Sequence, residues 1–225
     1  MNIKKKSTRR QLLKAGLGGI ALASAPAFIR SVKAAADFKI GLFIPLSGPA
    51  ALFGPSAKNC GELAIDMVNE SGGVLGRKAK LYIADAGVPP AEAAKSAMRL
   101  MLSEKVDLIV GNHDSAVRQA IVGAVKGRVP YVYSPVYEGG ECSSNVFMLG
   151  ETPQQQLKPT ISHFAETKNV KSYYLIGNDY VWPRVTNKLA KDYIAASGGK
   201  VVGEQYIPFG PANKFESAVT QIKSA

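Results

Sequence analysis

The sequence predicts an α/β fold: a doubly wound parallel sheet, followed by the start of a second α/β lobe. Three observations predict it. Short apolar runs alternate with longer stretches of helical periodicity, each apolar run is closed by Gly, Pro, Ser or Asp, and the alternation restarts after Thr152-Pro153. Strands separated by helices cannot pair as hairpins, so they run parallel through right-handed crossovers.

Residues 1–36 stand outside this pattern. Lys4, Lys5 and Lys6 lead into Ser7–Lys14, an apolar Gly/Ala-rich run spans Ala15–Ile29, and Ala34-Ala35-Ala36 follows. That is the order of a signal peptide: basic region, apolar region, and a cleavage site framed by Ala34 and Ala36. The paired Arg9 and Arg10, with Leu12 and Leu13 behind them, mark a twin-arginine-type signal. A membrane anchor is the competing reading, and the run is short for a span. The formal charge of +11 falls to +3 once the eight basic residues of this segment are set aside. Such a small surplus gives no case for nucleic-acid binding, which wants a concentrated basic face.

In chain order, Phe38–Leu46 is the first strand, and a helix runs on to Ser71 with Leu63, Ala64, Met67 and Val68 as its expected apolar stripe. Ala79–Ala84 is the second strand, and Pro89-Pro90 opens a helix over Ala91–Ser103. Leu108–Val110 is a buried strand broken by Gly111, after which Ser115 is the expected N-cap of a new helix. Tyr131–Tyr133 is a fourth strand, followed by the loop Ser134–Ser144 and a short strand at Val146–Leu149. A helix from Thr152 to Thr167 begins the second set, with strand Ser172–Ile176, turn Gly177–Trp182, helix Val185–Ser197, strand Val201–Ile207 and a helical stretch Phe215–Lys223. The expected organisation is a signal over 1–36, a first lobe over 37–150 and an incomplete second lobe over 151–225.

The turn after Leu108–Val110 is the centre of interest. It lies at the carboxyl edge of an open sheet, where ligands bind, and a helix start offers free amides to a carboxylate or carbonyl. On the motif alone, Ser115 serves equally as a simple cap. Cys60 and Cys142 are the only cysteines, and they form either one disulfide or two unbridged thiols. His113 and His163 are the only histidines, and no metal-ligand spacing is present. No strand-linked G-x-G-x-x-G, G-x-S-x-G elbow or Ser–His pair at readable spacing occurs, so no cofactor and no enzymatic activity are expected.

Beyond these residues, the chain resembles the periplasmic solute-binding proteins of branched-chain amino-acid ABC transporters, a type I periplasmic binding protein fold. The resemblance is carried by Ile40–Pro49 (IGLFIPLSGP), Gly61–Arg77 (GELAIDMVNESGGVLGR), Ser134–Gly139 (SPVYEG), Gly150–Gln156 (GETPQQQ) and Gly177–Arg184 (GNDYVWPR). Within that family the YEG loop and the DYVWPR turn are most similar to the branch that binds urea and short amides. The resemblance implies two lobes closing on a small amino acid, urea or short amide, delivery to membrane permease subunits, a periplasmic location and a chain truncated at its C-terminus.

It also implies ligand contacts at Phe53, at Ser115, at the loop residues Ser134, Pro135 and Tyr137, and at the aromatic turn of Tyr180 and Trp182. Where amide-binding relatives have an aromatic residue two positions before the serine, this chain has His113. Glu138 and Asp179, beside these aromatics, read as turn or surface ion-pair residues, and Tyr133 as core or site in equal measure. An exported enzyme and a ligand-sensing subunit of the same fold are the rival functions, since fold alone does not fix function.

Overall fold

A computed structural model describes residues 36–208 and 215–225 of the chain. Arg9, Arg10 and Ala34 lie outside the described residues. Ala36 lies inside them, its carbonyl accepting from Arg77 Nε at 2.7 Å.

Thirteen strands and α-helices position the rest among the described residues. β1 (Phe38–Ile44), α1 (Gly54–Glu70), β2 (Ala79–Asp85), α2 (Pro90–Arg99), β3 (Leu108–Gly111), α3 (Ser115–Val125), β4 (Tyr131–Tyr133) and β5 (Val146–Met148) build the larger layer. α4 (Pro153–Lys168), β6 (Ser172–Asn178), α5 (Val181–Ala196), β7 (Lys200–Ile207) and α6 (Phe215–Ser224) build the smaller. The five-stranded sheet has the order β2-β1-β3-β4-β5, and every pairing is parallel. Strand order reverses between β1 and β3, so right-handed crossovers put α1 on one face and α2 with α3 on the other. The reversal also opens a crevice between the loops that follow those two strands.

The main core lies between the sheet and the packed pair α2 and α3. Phe43, Ile109, Tyr131 and Tyr133 from the strands meet Ala93, Ala97, Val117 and Ile121 from the helices. Small alanines on α2 let it approach both α3 and the sheet. α2 continues past Arg99 into a wider π turn, Leu100–Glu104, and stops at Lys105 in the left-handed conformation.

α1 departs from its expected stripe. Leu63 and Met67 are 60% and 61% exposed. The helix instead rests on the sheet through Gly61, Ile65 and Val68, a face rotated from the expected one. Gly61 explains the rotation: a Cβ there would stand 2.5 Å from Leu42 Cδ2, so the backbone itself makes the contact.

In the smaller layer β6 and β7 pair in parallel, and Ile161 of α4 packs with Ala190 and Ile194 of α5. The expected turn Gly177–Trp182 is shorter than its composition suggests. β6 runs on to Asn178 and α5 begins at Val181, so Trp182 stands in the first helical turn. Pro183 permits this, because the first turn of a helix needs no partner for its N–H groups. Cys60 and Cys142 are both exposed free thiols, so no bridge joins them. Among the described residues no helix is long and apolar enough to cross a membrane.

Candidate functional site

The site begins where β3 ends. Asn112 N–H donates to the Phe43 carbonyl at 2.9 Å, which carries the chain across the edge of the sheet toward α3. The N-cap of α3 is Asp114, not Ser115: its Oδ1 accepts from the amides of Ala116 at 2.8 Å and Val117 at 3.0 Å. A carboxylate one position earlier reaches both orphan amides, so the serine is not needed as a cap. Ser115 becomes the first helical residue, 1% exposed, and its hydroxyl donates to Glu138 Oε2 at 2.8 Å.

Glu138 is likewise not a surface residue. It is 6% exposed, and its other oxygen accepts from Arg118 Nη2 at 2.5 Å. Arg118, one helical turn past Ser115, is 3% exposed. Its guanidinium lies over the rings of Tyr133 and Tyr137, at 5.2 and 5.4 Å from their centroids. Gly139 and Gly140, at φ of 85° and 77°, bend the loop so that Glu138 points inward. Taking two charges from water is costly, and the cost is offset in part by a direct ion pair, a hydroxyl and two aromatic faces, while Arg118 Nε and Nη1 have no hydrogen-bond partner.

His113 is a packed residue. It is 7% exposed, sits edge-on to Phe43 and Tyr133, and lies nearly parallel to Tyr131. Its Nδ1 is 3.0 Å from the Asp114 carbonyl, which only accepts, so the proton is assigned to Nδ1. Nε2 then accepts from the Tyr131 hydroxyl at 2.8 Å. Burial pushes this imidazole down to about 4, against an upward pull from the Asp114 carbonyl and carboxylate. Tyr133 belongs to the same core and donates to the His113 carbonyl at 2.5 Å. Burial raises both tyrosine hydroxyls above their ordinary value.

The crevice holds a cavity of about 210 Å³, lined by Pro45, Pro49 and Ala50 after β1, Ala86–Val88 after β2, His113 and Asp114 after β3, and Tyr180. Tyr180 is the N-cap of α5, so the smaller layer contributes a wall to a cavity built mainly by the larger. Burial raises its hydroxyl, and the carboxylates of Asp114 and then Glu138 raise it further. Asp85 fixes the floor by accepting from the amides of Leu46, Ser47 and Gly87.

The expected site residues therefore divide. His113 and Tyr180 line this cavity, while Ser115 and Tyr137 belong to the buried Arg118–Glu138 cluster beside it. Phe53, 57% exposed, and Ser134 line a separate, more open groove of about 390 Å³ with Leu42, Val110 and Asn112. Ser134 Oγ donates to the Gly111 carbonyl at 3.1 Å, and Pro135 presses its carbonyl against Gly150, where a Cβ would lie 2.0 Å away. Trp182 is half-buried, its indole N–H without a hydrogen-bond partner. Asp179 pairs with Arg184 at 2.6 Å on the surface. Among the described residues no group of three or more His, Cys, Asp or Glu could hold a metal ion.

The family of proteins described as periplasmic binding protein matches residues 37–225. The chain belongs to that family. A Leu/Ile/Val-binding protein homolog 7 from Brucella abortus is 30% identical over 224 residues, covering 92% of this chain and 54% of the relative. Two solved structures share the fold. One is the branched-chain amino acid transporter substrate binding protein of Streptococcus pneumoniae in complex with isoleucine (TM-score 0.70, 24% identity, 84% of this chain and 54% of that one). The other is an ABC transporter solute binding protein from R. palustris in complex with benzoate (TM-score 0.69, 24% identity, 84% and 52%). The chain spans about half the length of the relatives it matches.

In this periplasmic binding protein, Asp114 and Arg118 are the polar residues that sequence reasoning passed over, and Glu138 is the one it read as a turn or surface acid. A signal for Arg118 was present: Ser115 and Arg118 stand three apart, and hence on one helix face. No local pattern announces that the loop twenty residues on brings a carboxylate to that face.

Proposed function

We propose that this chain is the extracytoplasmic solute-binding component of an ABC importer, holding a small amino acid, urea or short amide in the crevice beside α3. The observation that carries this reading is the cavity walled by His113 and Asp114 from the larger layer and by Tyr180 from the smaller. Its volume of about 210 Å³ is below the roughly 300–1,000 Å³ of drug-sized sites, which suits a solute of a few heavy atoms. Apolar walls of Pro45, Pro49, Ala86 and Val88 with a few fixed polar groups are the usual composition of such sites. The similar proteins named for Leu/Ile/Val, isoleucine and benzoate support a small-solute role without separating amides from acids.

Ser115, Tyr137, Ser134, Pro135, Phe53 and Trp182 are the further contacts in this reading, some of them reached as the layers close. Solute would meet one layer first, and contacts with the other would favour the closed form. Export by the twin-arginine-type signal would place the protein in the periplasm, where the closed form docks on permease subunits. The YEG loop and the DYVWPR segment support the urea and short-amide branch.

The test is a thermal-shift panel on the purified chain with branched-chain amino acids, urea, acetamide and benzoate, since a ligand bound only by the folded state raises the melting temperature. A shift with one class, reduced in Tyr180→Ala and Trp182→Ala, is the expected result. A clean transition unmoved by every solute would refute the reading.

A further inference from the structure

The start of α3 is where a free carboxylate would bind: amides, a hydroxyl and a guanidinium converge there. In this chain the Ala116 and Val117 amides, the Ser115 hydroxyl and Arg118 Nη2 are taken by carboxylates of the chain itself, while Arg118 Nε and Nη1 are buried without a hydrogen-bond partner. Asp114 accepts from the amides of Ala116 and Val117 at 2.8 and 3.0 Å. Glu138 accepts from Ser115 Oγ at 2.8 Å and from Arg118 Nη2 at 2.5 Å, with Gln119 Nε2 at 3.4 Å. Both Ser115 and Glu138 are at least nine-tenths buried, so this is a built arrangement and not a surface pairing.

We propose that Glu138 and Asp114 fill, from within the chain, the anion positions at the start of α3, so that the cleft selects a solute presenting a neutral or cationic group there and rejects a free carboxylate. This rests on the reading of the crevice as a solute site. Two acids and one guanidinium leave the locality with one negative charge, since His113 is neutral and its ring nitrogens are both engaged. A carboxylate in the adjoining cavity would face Asp114, which lines it, and the buried Glu138 cluster beside it, where burial weakens screening. It would also find the hydroxyl and amides occupied, and so would lose its hydration without replacing it. An amide N–H or an ammonium meets the opposite situation: carboxylate and tyrosine oxygens accept from it. Glu138 is thus a specificity-determining residue, and the class of solute is amide-like.

Acetamide and acetate, nearly equal in shape and different in charge, are the probes, with ionic strength held constant by chloride. The parent chain is expected to bind acetamide tighter than acetate by about tenfold or more. Glu138→Ala deletes the atoms of an acetate group, so acetate is expected to raise the melting temperature of that variant and leave the parent unmoved. Isoleucine and benzoate should likewise gain about tenfold or more on the variant. If Glu138→Ala folds poorly, acetate should restore it, whereas the doubly substituted Arg118→Met/Glu138→Ala chain, with no buried charge left, should fold without acetate and ignore it.

Preference of the parent for acetate, isoleucine or benzoate over acetamide would overturn the selectivity and leave the solute-binding reading standing. Equal acetate responses in parent and Glu138→Ala would overturn the assignment of the anion position. Acetate rescue of the variant, with no panel solute bound by the parent, would keep that position but remove the solute reading and the selectivity with it.

Discussion

Acid should destabilise this protein through His113 above the pH range in which Asp85 and Asp107 act. The imidazole has an ordinary value of 6.5 and is held at about 4 in the fold. Between those values the unfolded chain binds a proton that the folded chain does not, so stability rises with pH across that window. The contribution is complete above 6.5 and fades as pH falls toward 4. Linkage gives a loss of about 1.3 kcal/mol by about pH 5.5 and of about 2.5 kcal/mol by about pH 4.5, relative to about pH 7.5.

Asp85 and Asp107 act lower. Burial alone would raise Asp85, but the Ser47 hydroxyl and the amides of Gly87, Leu46 and Ser47 hold it below its ordinary 3.8. Asp107 is the same case, with burial outweighed by the Lys39 amide and Arg77. Their stabilisation is present above 3.8 and is lost only beneath it.

The assay is urea denaturation of the parent and of His113→Phe at those three pH values. The variant loses two hydrogen bonds at a cost of about 1–3 kcal/mol, independent of pH. Its stability should then change little across the window in which the parent declines. Equal declines in the two proteins would show that the buried imidazole is not the titrating group.

Substitutions at three positions probe the turn itself. Gly111→Ala would put a Cβ 2.6 Å from both His113 Nε2 and the Tyr131 hydroxyl, breaking their hydrogen bond. A loss of about 2–3 kcal/mol in denaturant unfolding is expected, and a midpoint near that of the parent would contradict the packing. Asp114→Ala removes the cap and should cost about 1–2 kcal/mol, with Asp114→Asn recovering most of it. Ser115→Ala leaves the cap in place and should cost about 1 kcal/mol. A larger loss at Ser115 than at Asp114 would return the cap to the serine.

The strand–helix alternation was legible because each strand is a short β-branched or aromatic run and each break carries a turn residue, as at Pro130-Tyr131-Val132-Tyr133. The face of α1 was not, since Gly61 buries backbone and leaves no hydrophobic mark. Nor was the start of α5, because Tyr180-Val181-Trp182-Pro183 looks like a turn in composition. At the site, local patterns gave the turn after β3 and the residues His113 and Ser115, but not what those side chains do. The Ser115–Glu138 and Arg118–Glu138 contacts span 23 and 20 residues, and only the placement of β4 beside β3 brings them together. Glu138 read as a turn or surface acid from its loop setting, whereas Gly139 and Gly140 at positive φ turn it inward.

Solute binding beside α3 is most directly tested through Trp182, the single tryptophan of the chain, standing two residues beyond the cavity-lining Tyr180. Its emission should be followed during titration with acetamide, acetate, isoleucine and benzoate, well below any denaturing concentration. A saturable change with acetamide, little with acetate, and loss of the change in Tyr180→Ala are expected. Emission and melting temperature that stay constant through every titration would contradict a solute site in this crevice.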